Sequence, residues 1–195
     1  MSSRGHGLRS PAARVFGLLL AAAVVAVVAI AFFVFSQGRP QPTAQSPLPV
    51  AATGSASAAA DPLPAFSLPA PGGGRISAAD LKGKPTVINF FASWCSSCWA
   101  EIPHIQSAYN DYQGRGLQIV GIGVLDSEDS LRWMVTKLRI TYPTAYDTSG
   151  DTVVKILQLR SMPTTLFVDR QGIVRARWQG FLDQETLQRL IAQIM

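Results

Sequence analysis

PTVINFFASWCSSCW, Pro85 to Trp99, is the stretch on which the fold turns. Pro85 to Phe91 is a short run rich in β-branched and aromatic residues, the mark of a strand buried on both faces. It leads directly into Cys95 and Cys98, the only two cysteines of the chain. A helical pattern follows from Cys98 to Gln113, interrupted by Pro103, which removes a backbone donor and should kink it. A disulfide between cysteines this close constrains an unfolded chain little, so structural stapling is a poor reason to keep the pair. A cysteine at a helix start has its thiolate stabilised by unpaired N–H groups and the macrodipole, which lowers its pKa from about 8.5 into the range of roughly 3.5–7.5. Cys95 holds that place and reads as the nucleophile, and Cys98, one turn inside, reads as the resolving thiol. Zinc would need two further ligands, and His104 falls about 120° round the helix from Cys98. Haem attachment would need His where Trp99 stands. No metal and no cofactor beyond a Cys95–Cys98 disulfide is therefore expected.

Downstream, Leu117 to Leu125 reads as a second buried strand, and Asp126 or Ser127 caps a helix to about Leu138. Asp151 is expected to cap a short helix through Leu159. Thr164 to Val168 and Ile173 to Trp178 read as a hairpin turning at Asp169–Gly172, and Asp183 opens a last helix. Upstream, Ala65 to Pro69 and Gly74 to Ile76 read as a short edge hairpin, and Ser77 is expected to cap a brief helix through Leu81. Helices alternating with buried strands give an α/β three-layer sandwich.

The N-terminal part is of another kind. Val15 to Phe35 is an unbroken apolar run, which at about 1.5 Å per residue spans roughly one hydrocarbon core. It is longer than a cleavable signal's apolar region and is followed by SQGRP, which favours an uncleaved anchor over a signal peptide. Arg4, Arg9 and Arg14 precede it, so residues 1–14 are placed in the cytoplasm and everything beyond Phe35 outside. Residues 36–62, rich in Pro, Ala, Ser and Thr, read as a flexible linker, and residues 63–195 as one domain. The net charge of +5 owes much to Arg4, Arg9, Arg14 and Arg39. From Leu63 onward 13 basic residues face 11 acidic ones, and no basic stripe remains to argue for nucleic acid.

WCSSC after a Phe-Phe strand, with SMPTTLFVD from Ser161 to Asp169, resembles the two halves of a thioredoxin-fold active site. More narrowly, Cys95, Cys98, Glu101 and Pro103 in the pattern CxxCxxExP, the PTTLFVD segment, an inserted strand and helix, and the anchor resemble the membrane-anchored TlpA/ResA/CcmG-like thiol-disulfide oxidoreductases. The resemblance covers nearly all of Leu63 to Met195. It implies a thioredoxin-like α/β/α sandwich with an N-terminal hairpin and a central βα insert, preceded by one transmembrane helix. It also implies a cis Met162–Pro163 bond with Pro163 beside the disulfide, where composition alone would favour trans.

Thioredoxins keep a buried acid six positions before the first cysteine, and here that position is Asn89. The resemblance moves the proton acceptor to Asp126, with Glu128 two residues on, whereas the local reading of Asp126 is a helix cap. Glu101, one turn beyond Cys98, reads either as a tuning group or as an exposed helical carboxylate. Trp94, Trp99, Met162 and Thr164 form a rim for a docking partner, with core packing as the other reading of Trp94. Trp133 and Trp178 are expected in the core, and His104 on the helix surface.

The activity implied is exchange with protein thiols and disulfides through a mixed disulfide at Cys95. The favoured role is that of an extracytoplasmic reductase as in cytochrome c maturation, with apocytochrome c or another exported protein as partner and a membrane electron donor. A copper-handling metallochaperone and a thiol peroxidase of the same fold are the rival readings.

Overall fold

The computed structural model describes residues 54–195 and, in the separate unit Met1–Leu48, residues 26, 27 and 29–31, which are helical and exposed. Among the described residues no helix is long and apolar enough to cross a membrane. The predicted anchor, apart from those five residues, and the predicted linker up to residue 53 lie outside the described residues.

The end of the expected linker is ordered: Ser55–Pro62 forms strand β1, antiparallel to the last strand of the sheet. Its Ser and Ala side chains bring little apolar surface, and the pairing is through backbone groups, which every residue carries. A reading based on apolar burial therefore misses it. There follow β2 (Ser67–Pro69), β3 (Arg75–Ser77), a 3₁₀ turn (Ala78–Leu81), β4 (Thr86–Phe91), α1 (Ser96–Tyr112), β5 (Gln118–Val124) and α2 (Glu128–Lys137). Then come β6 (Thr144–Asp147), a π-helical turn (Asp151–Ile156), β7 (Thr164–Val168), β8 (Ile173–Gln179) and α3 (Gln184–Ile191).

The sheet runs β1-β8-β7-β4-β5-β6, with β4, β5 and β6 parallel and β7, β8 and β1 successively antiparallel. All of β4 is buried, and its alternation divides the core. Val87 and Phe91 pack with Ile102 and Ile105 of α1, Leu131 and Met134 of α2, and Leu187 and Leu190 of α3. Ile88 and Phe90 pack on the other face with Phe66, Leu68, Leu81, Val153 and Leu157. Each such buried side chain stabilises the fold by about 1.5–3 kcal/mol. The three α-helices thus share one face, and the hairpin, the 3₁₀ turn and the π-turn cover the other.

Helix starts follow the caps. Ser127 Oγ accepts from Ser130 N at 3.1 Å and Asp183 Oδ1 from Thr186 N at 2.8 Å. Ser127, not Asp126, therefore caps α2. The helix expected from Asp151 to Leu159 is a six-residue π-turn capped by Gly150, because Asp147 Oδ2 draws in Val153 N at 2.8 Å. Close approach of α2 to β5 depends on Gly123, where a Cβ would lie 2.9 Å from Leu131 Cδ1.

Candidate active site

β4 delivers the chain into Ala92–Trp94, and Cys95 is the N-cap of α1. Cys95 Sγ accepts from Cys98 N at 3.2 Å, so one orphan donor of the first turn points at the sulfur. The two cysteines are joined, with an S–S distance of 2.04 Å. Cys95 is 6% exposed and Cys98 fully buried, so an incoming sulfur meets Cys95 first.

The Met162–Pro163 peptide is cis. Thr164 pairs with Phe90 across β7 and β4, which brings the proline to the sheet end where β4 runs into the cysteines. Met162 packs partly buried against both core clusters. Thr164, expected on the docking rim, is fully buried and donates from Oγ1 to Ser161 O at 2.8 Å, so its side chain closes the loop behind the proline. Trp94 is 60% exposed, which settles its two readings in favour of the surface. Its Nε1 donates to Leu125 O at 3.2 Å. Trp99 Nε1 donates to Ser93 O at 2.8 Å, and its ring meets Trp133 at 5.3 Å between centroids. Trp133 is 57% exposed, contrary to its expected place in the core, because the α2 face it occupies looks toward Trp99 and solvent.

Asp126 is buried, and its Oδ2 accepts from Ser93 N at 2.6 Å. The carboxylate thus ties the β5–α2 loop to the segment just before Cys95. Leu125 makes this possible with a left-handed backbone, φ 52°, which a branched side chain rarely adopts. Glu128 is turned to other partners, Arg132 on the same helix and Tyr146 Oη at 2.8 Å. His104 is half-buried and meets the Phe181 ring edge-on at 5.9 Å.

Glu101 is fully buried, which removes the exposed-carboxylate reading. On α1 it follows Cys98 by three positions, which sets their Cβ atoms about 5–6 Å apart on one face. Its Oε1 accepts from Asn89 Nδ2 at 2.7 Å and its Oε2 from Leu182 N at 3.1 Å. Burial outweighs both hydrogen bonds and pushes its pKa up to about 8. Asn89 also donates to Thr165 Oγ1 at 3.0 Å. The Tyr142 hydroxyl is buried without a partner, and burial, with the Glu101 charge, pushes its pKa up. Asn89, alone and polar in an apolar strand, was the signal in the sequence that a buried polar partner must exist. Leu182 and Tyr142 gave none. Among the described residues no cluster of three or more His, Cys, Asp or Glu is arranged to hold a metal ion.

The profile of the AhpC/TSA family matches residues 59–177. The chain belongs to that family. The thiol-disulfide oxidoreductase ResA of Oceanobacillus iheyensis is 30% identical over 119 residues, 61% of this chain and 62% of that protein, so the match spans less than two thirds of that relative's length. The thiol:disulfide interchange protein DsbE of Pseudomonas aeruginosa is 31% identical over 136 residues, 68% of this chain and 73% of that protein. Among solved structures, a thioredoxin family thiol:disulfide interchange protein from Chlorobium tepidum superposes with a TM-score of 0.61 at 27% identity, over 71% of this chain and 98% of its own. A DsbF homologue from Corynebacterium diphtheriae gives 0.65 at 26%, over 75% and 96%. The fold of residues 54–195 is thioredoxin-like.

Proposed function

We propose that this chain is a membrane-tethered, extracytoplasmic thiol-disulfide oxidoreductase that reduces protein disulfides, with apocytochrome c or another exported protein as partner and a membrane electron donor. What carries the reading is the pairing of Cys95 at a helix N-cap with a fully buried Cys98 one turn behind it. Relatives named thiol-disulfide oxidoreductase and thiol:disulfide interchange protein support it. The apolar run Val15–Phe35 and the three preceding arginines support the tether and its orientation.

In the reduced protein, the Cys95 thiolate attacks one sulfur of the partner's disulfide. A Cys95–partner bond forms, the partner's S–S bond breaks, and the departing sulfur takes up a proton. Cys98 then loses its proton and attacks Cys95 Sγ. The Cys95–Cys98 bond forms as the mixed disulfide breaks, and the partner leaves with both sulfurs reduced. The partner gains two electrons and the chain loses two. Glu101, one turn beyond Cys98 and with its pKa raised to about 8, takes the Cys98 proton only in its ionised form, which becomes populated as pH approaches 8. Asp126 holds the segment just before Cys95 and, as the resemblance implies, serves the cysteine pair as proton acceptor. The cis proline offers no N–H, which leaves neighbouring backbone groups free to pair with an extended partner.

The test of direction is the midpoint potential of the Cys95/Cys98 couple in the full chain in detergent. A value near the thioredoxin end, about −270 mV, supports a reductant, and one near about −120 mV overturns the reducing role. For the tether, a tag before Val15 should be cytoplasmic and the protein should stay with membranes after carbonate washing. A soluble mature form lacking residues 1–35 would show cleavage instead.

A further inference from the structure

Leu125 stands between β5 and α2 with a left-handed backbone, φ 52°, and a side chain 51% exposed. Its N–H donates to Asp147 O at 3.0 Å and its carbonyl accepts from Trp94 Nε1 at 3.2 Å, so both backbone groups are held. These bonds, with the Asp126 tie, account for the backbone angle but not for a leucine. Glycine or asparagine adopts this angle at less cost and would form the same backbone bonds. Leucine adds strain and leaves apolar surface in water, and core packing offsets neither in full. An outlier of this kind next to a reactive group is reason to ask what its side chain meets. Room for that side chain is kept at Gly150, where a Cβ would lie 2.7 Å from Leu125 Cδ2 and 3.6 Å from Val154 Cγ2. Trp94, adjacent to Cys95, and Val154 are themselves exposed. An apolar surface thus leads from Cys95 by way of Trp94 to Leu125 and Val154.

We infer that Leu125 and Trp94 form a clamp for an aliphatic side chain of the partner polypeptide, beside the partner cysteine that bonds Cys95. The clamp rests on the reading of Cys95 as the attacking thiol and adds the kind of partner that exchange favours, one with apolar residues next to its reactive cysteine. Position selects this occupant: the partner's sulfur must come to Cys95, and in an extended chain the neighbouring residues lie only about 3.3–3.6 Å further on per residue, at the Trp94 and Leu125 side chains. Charge agrees with it. The charged side chains next along the chain are matched among themselves, Glu128 with Arg132 and Asp151 with Lys155, and the Asp126 carboxylate is held by Ser93 N, so an acidic flank on the partner gains no cation from them.

The test is single-turnover oxidation of the reduced full chain, in lipid nanodiscs, by two disulfide-linked peptide dimers that differ only in having leucine or serine on both sides of the cysteine. Each event passes two electrons from Cys95 and Cys98 to the peptide disulfide, joins the two cysteines and releases two peptide thiols. Every rate is divided by that of the same peptide with dithiothreitol, which removes the peptides' own difference in reactivity. The leucine peptide should then react at least about fivefold faster than the serine peptide, as expected for partial burial of an aliphatic side chain. Because this preference is a ratio within one protein, a general change in exchange rate cancels from it. Leu125→Gly and Leu125→Asn, both compatible with the left-handed backbone, should lower the ratio at least about threefold, and Leu125→Met should keep most of it. Equal rates for the two peptides with the parent chain, or an undiminished ratio in folded Leu125→Gly and Leu125→Asn, would overturn the clamp while leaving exchange intact. No reaction with either peptide or with hydroxyethyl disulfide would contradict exchange at Cys95 itself, and the clamp with it.

Discussion

Glu101 is a single buried acid whose surroundings give the fold a pH response. Its carboxyl keeps its proton in the folded protein up to about pH 8, whereas in the unfolded chain it gives the proton up near 4.5. Between those values folding takes up a proton, so this group favours the fold fully below about pH 4.5 and progressively less as pH rises toward 8. The slope is at most about 1.4 kcal/mol per pH unit. Glu101→Gln keeps the size and loses the titration, so its unfolding free energy should be flatter with pH than that of the parent across this window. It should also slow the resolving step as pH approaches 8, where the carboxylate form is populated, and leave it little changed well below that pH. Parallel denaturation profiles from pH 5 to 8 would mean that Glu101 titrates normally. The CxxC pair, Pro163 and Glu101 were legible because each lies in a local motif. Whether Glu101 was inside or outside was not, since that depends on Asn89 and Leu182, 12 and 81 residues away in sequence.

The loop after β5 shapes the cysteine segment from the side. Asp126 ties Ser93 N and Leu125 O receives Trp94 Nε1, so two hydrogen bonds from this loop hold the residues just before Cys95. Asp126→Ala leaves the Ser93 donor unmatched and should cost about 1–3 kcal/mol in chemical denaturation. Asp126→Asn keeps an acceptor there and should retain most of that stability while slowing exchange, because the carboxylate that shuttles the thiol proton is lost. A role confined to tying the loop leaves the exchange rate of Asp126→Asn unchanged. At the far edge of the sheet, β1 covers the backbone groups of β8. Removing residues up to Pro62 should lower the melting temperature and promote aggregation through the bared edge, and an unchanged melting temperature would show that β1 adds nothing to the domain. β4, α1 and α3 were legible from apolar runs and capping residues. β1, β6 and the π-turn were not. β1 has small side chains, β6 is only Thr144–Asp147, and the π-turn exists because Asp147 captures a backbone N–H six residues on.

Across the molecule, the sheet gathers the reactive parts at one end. β4 leads into Cys95, β7 begins just after the cis proline, and β5 leads through Leu125 into Asp126, so three adjacent strands open onto the cysteine segment. Trp133 was misplaced by sequence reading because its partner, Trp99, belongs to another helix and the pairing lies at the surface. In the proposed mechanism the two sulfurs have distinct tasks, attack by Cys95 at the N-cap and resolution by the fully buried Cys98. Trapping of mixed disulfides by single-cysteine variants of the full chain in its native membrane tests it most directly. Cys98→Ser should accumulate partner proteins bound to Cys95, and Cys95→Ser should trap few or none, because Cys98 is fully buried. Partners trapped by Cys95→Ser and not by Cys98→Ser would reverse the two roles, and no trapping by either variant with exchange activity intact would contradict the thiol mechanism itself.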